Sequence, residues 1–193
     1  MGNVSMTKVS LSHQELTLSE VWQWYQKMDS AIDHYQTEVI NALLSGKEVS
    51  DIFLGMTKEE IIEDFIWQTE ELERLVCLNL IASAEATIRI DYLTRVYEKK
   101  KDTICRACRA LYKQKGARVS LEDEILAIWK QNYPECKLAM GHFIGVLKLR
   151  HWLAHGRYWT PKLGSSYNPK AIFKIIETLL NELPDDFSCA IKL

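Results

Sequence analysis

Arg150-His151-Trp152-Leu153-Ala154-His155 brings together side chains able to handle a phosphodiester. Arginine stays charged at any working pH, and its planar fork fits phosphate oxygens. Histidine takes or gives a proton near neutrality. Together they suit cleavage of RNA by its own 2′-hydroxyl: a base activates the hydroxyl, and a fixed cation meets the charge developing on phosphorus. That chemistry calls for no metal and no cofactor, and no paired-carboxylate metal pattern stands beside the segment. The spacing poses a geometric problem. Five residues of α-helix turn about 500°, so Arg150 and His155 leave the axis roughly 140° apart. Arg150 can reach round, or the helix can loosen at His155, which Gly156 permits. Alternatively, Arg150 and His155 of two copies meet across a two-fold axis in a composite cleft. An Arg-x4-His spacing alone is common, and a capped helix end with its aromatics in the core accounts for it more simply.

Other residues invite metal or redox readings. His151 and His155, four apart, share a helix face, but two ligands without a third do not make a zinc site. Cys105 and Cys108 form a Cys-x-x-Cys, yet Cys136 and His142 come singly and supply no second pair. A thioredoxin-like role needs a βαβ context, which the pattern lacks. The spacing therefore reads as two helix-core cysteines. Five cysteines, an odd number, beside an N-terminus without a basic start and apolar run, point to reduced thiols and a cytoplasmic setting. Met6 stands where a myristoylation motif needs Ser or Thr, and no apolar run is long enough to span a bilayer, so no membrane partner is expected.

The net charge of -2 hides an asymmetry. Residues 1–94 hold 6 Lys/Arg against 16 Asp/Glu, whereas residues 95–118 hold 9 against 2. Such a basic block can neutralise phosphates, or it can meet the acidic half of the same molecule or of a second copy.

The elements that must position these residues read as helices, with strand alternation nearly absent. Thr17 and Glu20 can close a capping box before Val21, Tyr25, Met28, Ile32, Tyr35, Val39 and Leu43, one continuous apolar face stopped by Gly46. Thr57 and Glu60 open a second helix through Phe65, Leu72, Val76, Leu80, Ala84, Ile88 and Tyr92. Helical character continues to Gln114 with a break near 99–102, and Gly116 ends it. Ser120 opens a short helix to Asn132, and Pro134 suits the first turn of the next, which runs into Arg150–His155. Asn168-Pro169 caps a last helix through Leu180. With no repeat and no linker, the expectation over residues 1–193 is one all-α domain, an antiparallel bundle of about five helices, with flexible ends at 1–16 and 185–193.

Arg150, polar His151 and then Leu153-Ala154-His155-Gly156, late in an all-α chain, resemble the HEPN superfamily. Its signature is an arginine, a polar residue, and a histidine four to six positions after the arginine. The helix carrying Glu85-Ala86-Thr87-Ile88-Arg89-Ile90-Asp91 is similar, less specifically, to the acid- and arginine-bearing helix of the RiboL-PSP-HEPN branch. The resemblance implies a helical bundle, commonly a homodimer with a composite site, acting as a metal-independent endoribonuclease in toxin–antitoxin, phage-defence or RNA-processing systems. An antitoxin partner belongs to the same expectation. His155 would be the catalytic base or acid, Arg150 the phosphate-stabilising cation, and His151 a group that orients the site or touches substrate. Glu85 and Arg89 would form a second layer around Arg150 or the RNA, although at four residues apart they can simply pair with each other. Arg157 and Tyr158 would contact phosphate and stack on a base; Trp159 can stack likewise or plug the core. The competing expectation is a non-catalytic helical module that binds RNA, nucleotides or other proteins. A zinc protein is the third. The segment 1–56 and the C-terminal tail match no motif.

Overall fold

The structure is a computed structural model and describes residues 8–98 and 100–184. Six α-helices account for most of it, and no strand occurs among the described residues. They are α1 (Leu18–Leu44), α2 (Lys58–Tyr97), α3 (Thr103–Lys115), α4 (Leu126–Asn132), α5 (Lys137–Ala154) and α6 (Pro169–Glu182). Among the described residues, no helix is long and apolar enough to cross a membrane.

Local signals set most boundaries. Thr17 and Thr57 each accept the backbone N–H three residues on, while Glu20 and Glu60 reach back to the cap N–H, so both capping boxes form. The Asn168 side chain accepts from the Ala171 N–H ahead of α6. Asp102 caps α3, whose end falls at Gly116 with φ +64, a left-handed conformation that glycine adopts at little cost. The expected break near 99–102 separates α2 from α3. Pro134 opens a single 3-10 turn rather than α5 itself, and a π-helical turn, Leu121–Ile125, precedes α4.

The spine is α2, about 60 Å long at 1.5 Å per residue. Its apolar face (Phe65, Leu72, Val76, Leu80, Ala84, Ile88, Tyr92) is buried as its periodicity predicts. Burial against water drives this packing at roughly 25 cal/mol per Å². The main core joins α2 to Trp129, Met140, Phe143, Ile172 and Ile176 from α4, α5 and α6. A second, smaller cluster of Val39, Phe53, Ile61 and Phe65 closes the outer end of the α1–α2 pair. There only two helices meet, so Met28, Tyr35, Ile66 and Trp67 stay exposed.

Of the ends expected to be flexible, 1–7 and 185–193 lie outside the described residues. Segment 8–16 is not helical, yet the Val9 N–H donates to Tyr97 Oη at 2.9 Å and Ser83 Oγ donates to the Leu16 carbonyl at 2.7 Å.

Candidate functional site

Arg150 lies on α5 just before its last turn, and its guanidinium points to α2, where Nη2 is 3.4 Å from Glu85 Oε2. That is an ion pair, longer than a tight charge-assisted hydrogen bond. Its Nε is buried and has no hydrogen-bond partner among the described residues. The expected pairing of Glu85 with Arg89 does not occur. Glu85 turns to Arg150, and Arg89 Nη1 donates to the Val119 carbonyl at 3.2 Å.

The helix loosens where His155 needs it to. Ala154 is the last helical residue, His155 caps α5 with φ -102 and ψ 20, and Gly156 takes φ +82. His151 and His155 lie ring against ring, centroids 4.3 Å apart and planes at 54°. Trp159 approaches the other side of His151 at 5.8 Å, and Tyr158, 84% exposed, packs edge-on to Trp159. Trp159 is thus half-buried against the site rather than a core plug. Its carbonyl accepts from Trp152 Nε1 at 2.6 Å, tying the chain after α5 back to the helix.

Arg157 also has φ > 0, at +59, a conformation that costs a non-glycine residue roughly 1–2 kcal/mol. A clasp offsets this: Arg157 Nη1 donates to Glu71 Oε1 at 2.6 Å, and Arg74 binds the same oxygen at 2.5 Å. The Arg157 guanidinium, with help from Arg74, holds the Glu71 carboxyl below its ordinary range. Arg157, expected to contact phosphate, is engaged with the protein instead.

Arg150 and His151 line a groove of about 530 Å³ together with Glu85 and Arg89 from α2. The π-helical turn supplies Leu121 and Glu122, and the chain after α5 contributes Trp159, Pro161, Lys162 and Leu163. His155, Arg157 and Tyr158 do not line it. One chain therefore gathers Arg150, His151, Glu85 and Arg89 about a single depression, with His155 packed at an angle against His151 outside it. Lys148 and Lys162 also line the groove and were not singled out in the sequence. Lys148 sits three residues before His151 on the same helix face, a legible signal; Lys162 lies in irregular chain, where periodicity offers none.

The basic block at 95–118 does not build this site. Arg95 turns inward to Asp91, Lys115 pairs with Glu124, and no described residue of the block lines the groove. Nor do the cysteines. Cys77, Cys105, Cys108 and Cys136 are free and buried, and burial pushes the Cys77 and Cys108 thiols up to about 12. Among the described residues, no three His, Cys, Asp or Glu side chains are grouped to hold a metal ion. No protein-family model, no curated protein and no solved structure matches the chain significantly.

Proposed function

We propose that the chain is a metal-independent endoribonuclease of HEPN type. One observation carries the reading: Arg150, anchored to Glu85 at 3.4 Å, lines a groove beside the tilted pair of rings His151–His155 at a loosened helix end. A fixed cation and two imidazoles are what 2′-hydroxyl attack requires. A neutral imidazole takes the 2′-hydroxyl proton, the 2′-oxygen bonds to phosphorus, and the bond to the 5′-oxygen breaks. A protonated imidazole then gives its proton to that leaving oxygen, and Arg150 balances charge on the phosphoryl oxygens. The products are a 2′,3′-cyclic phosphate and a 5′-hydroxyl. Because His155 lies off the groove that Arg150 lines, a homodimer in which His155 serves the partner's groove is the assembly that fits this chemistry. A cytoplasmic toxin or phage-defence effector, restrained by an antitoxin, is the setting that goes with the reading.

The same displacement of His155 favours a second reading, a non-catalytic module that binds RNA or another protein. Incubation with total RNA in EDTA, followed by mapping of the ends, separates the two. Cleavage with cyclic phosphate ends, abolished in His155→Ala and Arg150→Ala while helical circular dichroism is unchanged, is the expected result. Cleavage only with added magnesium or zinc overturns the mechanism, and binding without cleavage favours the second reading.

A further inference from the structure

The endoribonuclease reading leaves its substrate class open, and the walls of the groove narrow it. The floor is apolar: Leu121 and Leu147 are buried, and Leu163 is half-buried. The rim carries more cations than carboxylates. Lys148 and Lys162 are exposed and make no ion pair among the described residues, Arg89 is exposed as well, and Glu122 is the exposed carboxylate among them. The volume of about 530 Å³ falls within the range of sites that enclose one small organic group.

The wall formed by 159–163 is built into the fold. The Trp152–Trp159 hydrogen bond fixes its start. Further along, Tyr167 lies so close to Gly145 of α5 that a Cβ there would stand 2.9 Å from its hydroxyl. A side chain at 145 would have to displace the tip of the Tyr167 ring, which here rests against α5.

We infer that the groove is a subsite for one unpaired nucleotide of single-stranded RNA, with its base on the leucine floor and its phosphate at the Arg150–His151 end. The inference rests on the endoribonuclease reading and gives it a substrate class. An inorganic anion would use the rim and leave the floor bare. A duplex would do the same, because its base faces are stacked inside and only base edges, phosphates and 2′-hydroxyls face a protein. An unpaired base presents an apolar face to the leucines while its flanking phosphates reach Lys148 and Lys162. The Arg150 side chain, 39% exposed beside Glu85, offers its remaining guanidinium N–H groups to a phosphate oxygen at that end.

The test uses His155→Ala protein, which should bind but not cut the RNA under the proposed reading, and a short fluorescein-labelled RNA read by anisotropy. The single strand should bind about tenfold or more tighter than its own duplex. The pair Lys148→Glu and Lys162→Glu should weaken single-strand binding about tenfold and flatten its salt dependence by one to two phosphate contacts. The same charge change at Lys137 and Lys170, outside the groove, should leave binding unaltered. Leu163→Arg, which fills the floor, should weaken binding without loss of helical circular dichroism. A nucleoside monophosphate should compete and inorganic phosphate should not. Equal affinity for duplex, or no effect of the groove charge reversals, overturns the inference. If wild type cleaves RNA in EDTA while these results fail, the groove assignment falls and the nuclease reading stands. If the binding results hold and nothing is cleaved, the nuclease reading falls and the groove remains a nucleotide site.

Discussion

The long helix α2 offers two carboxylates to two arginines, and the surroundings make the pairs different objects. Asp91 and Arg95, one turn apart, are 0% and 3% exposed, with Arg95 Nε donating to Asp91 Oδ2 at 2.8 Å. The Arg95 guanidinium also lies over the Trp129 ring, 4.7 Å from its centroid. Glu85 and Arg150 come from different helices, stand 3.4 Å apart, and leave the arginine side chain 39% exposed with Nε unpartnered. The inner pair is saturated by the protein. The outer pair is oriented but unfinished, and an arginine in that state can take up a phosphate. Protein charges buried together commit to the fold, whereas those left half-met stay available for a ligand.

The largest effect should come from breaking the inner pair on one side. Asp91→Ala leaves Arg95 buried without its carboxylate, which costs about 3–5 kcal/mol. The midpoint of thermal unfolding should fall by on the order of 10 °C. Replacing both residues with methionine should recover most of that loss, because desolvation of two charges disappears along with their attraction. A fall of only a degree or two in Asp91→Ala would show that the two pairs are energetically alike and would end the comparison.

The outer pair should behave in the opposite way. Glu85→Gln removes a half-exposed ion pair worth no more than about 1 kcal/mol, so thermal unfolding should shift by a few degrees at most. Under the proposed endoribonuclease reading it should nonetheless slow RNA cleavage about tenfold, because Arg150 loses the carboxylate that orients it. Glu85 would then act as a positioning residue, so the fall should appear in kcat, while Glu85→Asp restores part of it. Full activity in Glu85→Gln would mean that Arg150 needs no anchor.

The two pairs were unequally legible in the sequence. Acid and arginine at i and i+4 look the same on any helix face, so Asp91–Arg95 did not stand apart, and Arg95 was counted with a basic block that it does not join. Glu85 and Arg89 have the same spacing but remain apart, since Arg150 competes for the carboxylate from another helix. Local chemistry was readable: Thr17 with Glu20, Thr57 with Glu60, Asn168 before Pro169, and Gly116 after Lys115 each marked a helix end. The all-helical bundle followed from 3.6-residue periodicity, with six helices where about five were expected. The groove was not readable, because Pro161, Lys162 and Leu163 lie in irregular chain with no period to place them against α5.

The smallest effect tests whether the loop beyond the outer pair belongs to the same unfinished region or is sealed like the inner one. Glu71 and Arg157 are 86 residues apart in sequence and join α2 to the left-handed turn after His155. The Glu71 carboxyl is held below its ordinary 4.5, first by the hydrogen bond from Arg157. A carboxylate whose pKa is depressed in the folded state contributes stability above its unfolded value and loses it as pH falls through the folded one. The clasp should therefore add up to about 1 kcal/mol at neutral pH, given that both side chains are partly solvated. Urea unfolding of wild type and Glu71→Gln should differ by that amount near neutrality and converge in acid, below the ordinary carboxylate range. Arg157→Gly separates the two contributions, since it removes the clasp but relieves the positive φ. Its net change should be smaller than that of Glu71→Gln, which keeps the strain and loses the charge that Arg157 and Arg74 share. If Arg157→Gly proves the more damaging, the turn beyond His155 is held by more than this clasp, and it belongs with the saturated interior rather than with the open end of α5.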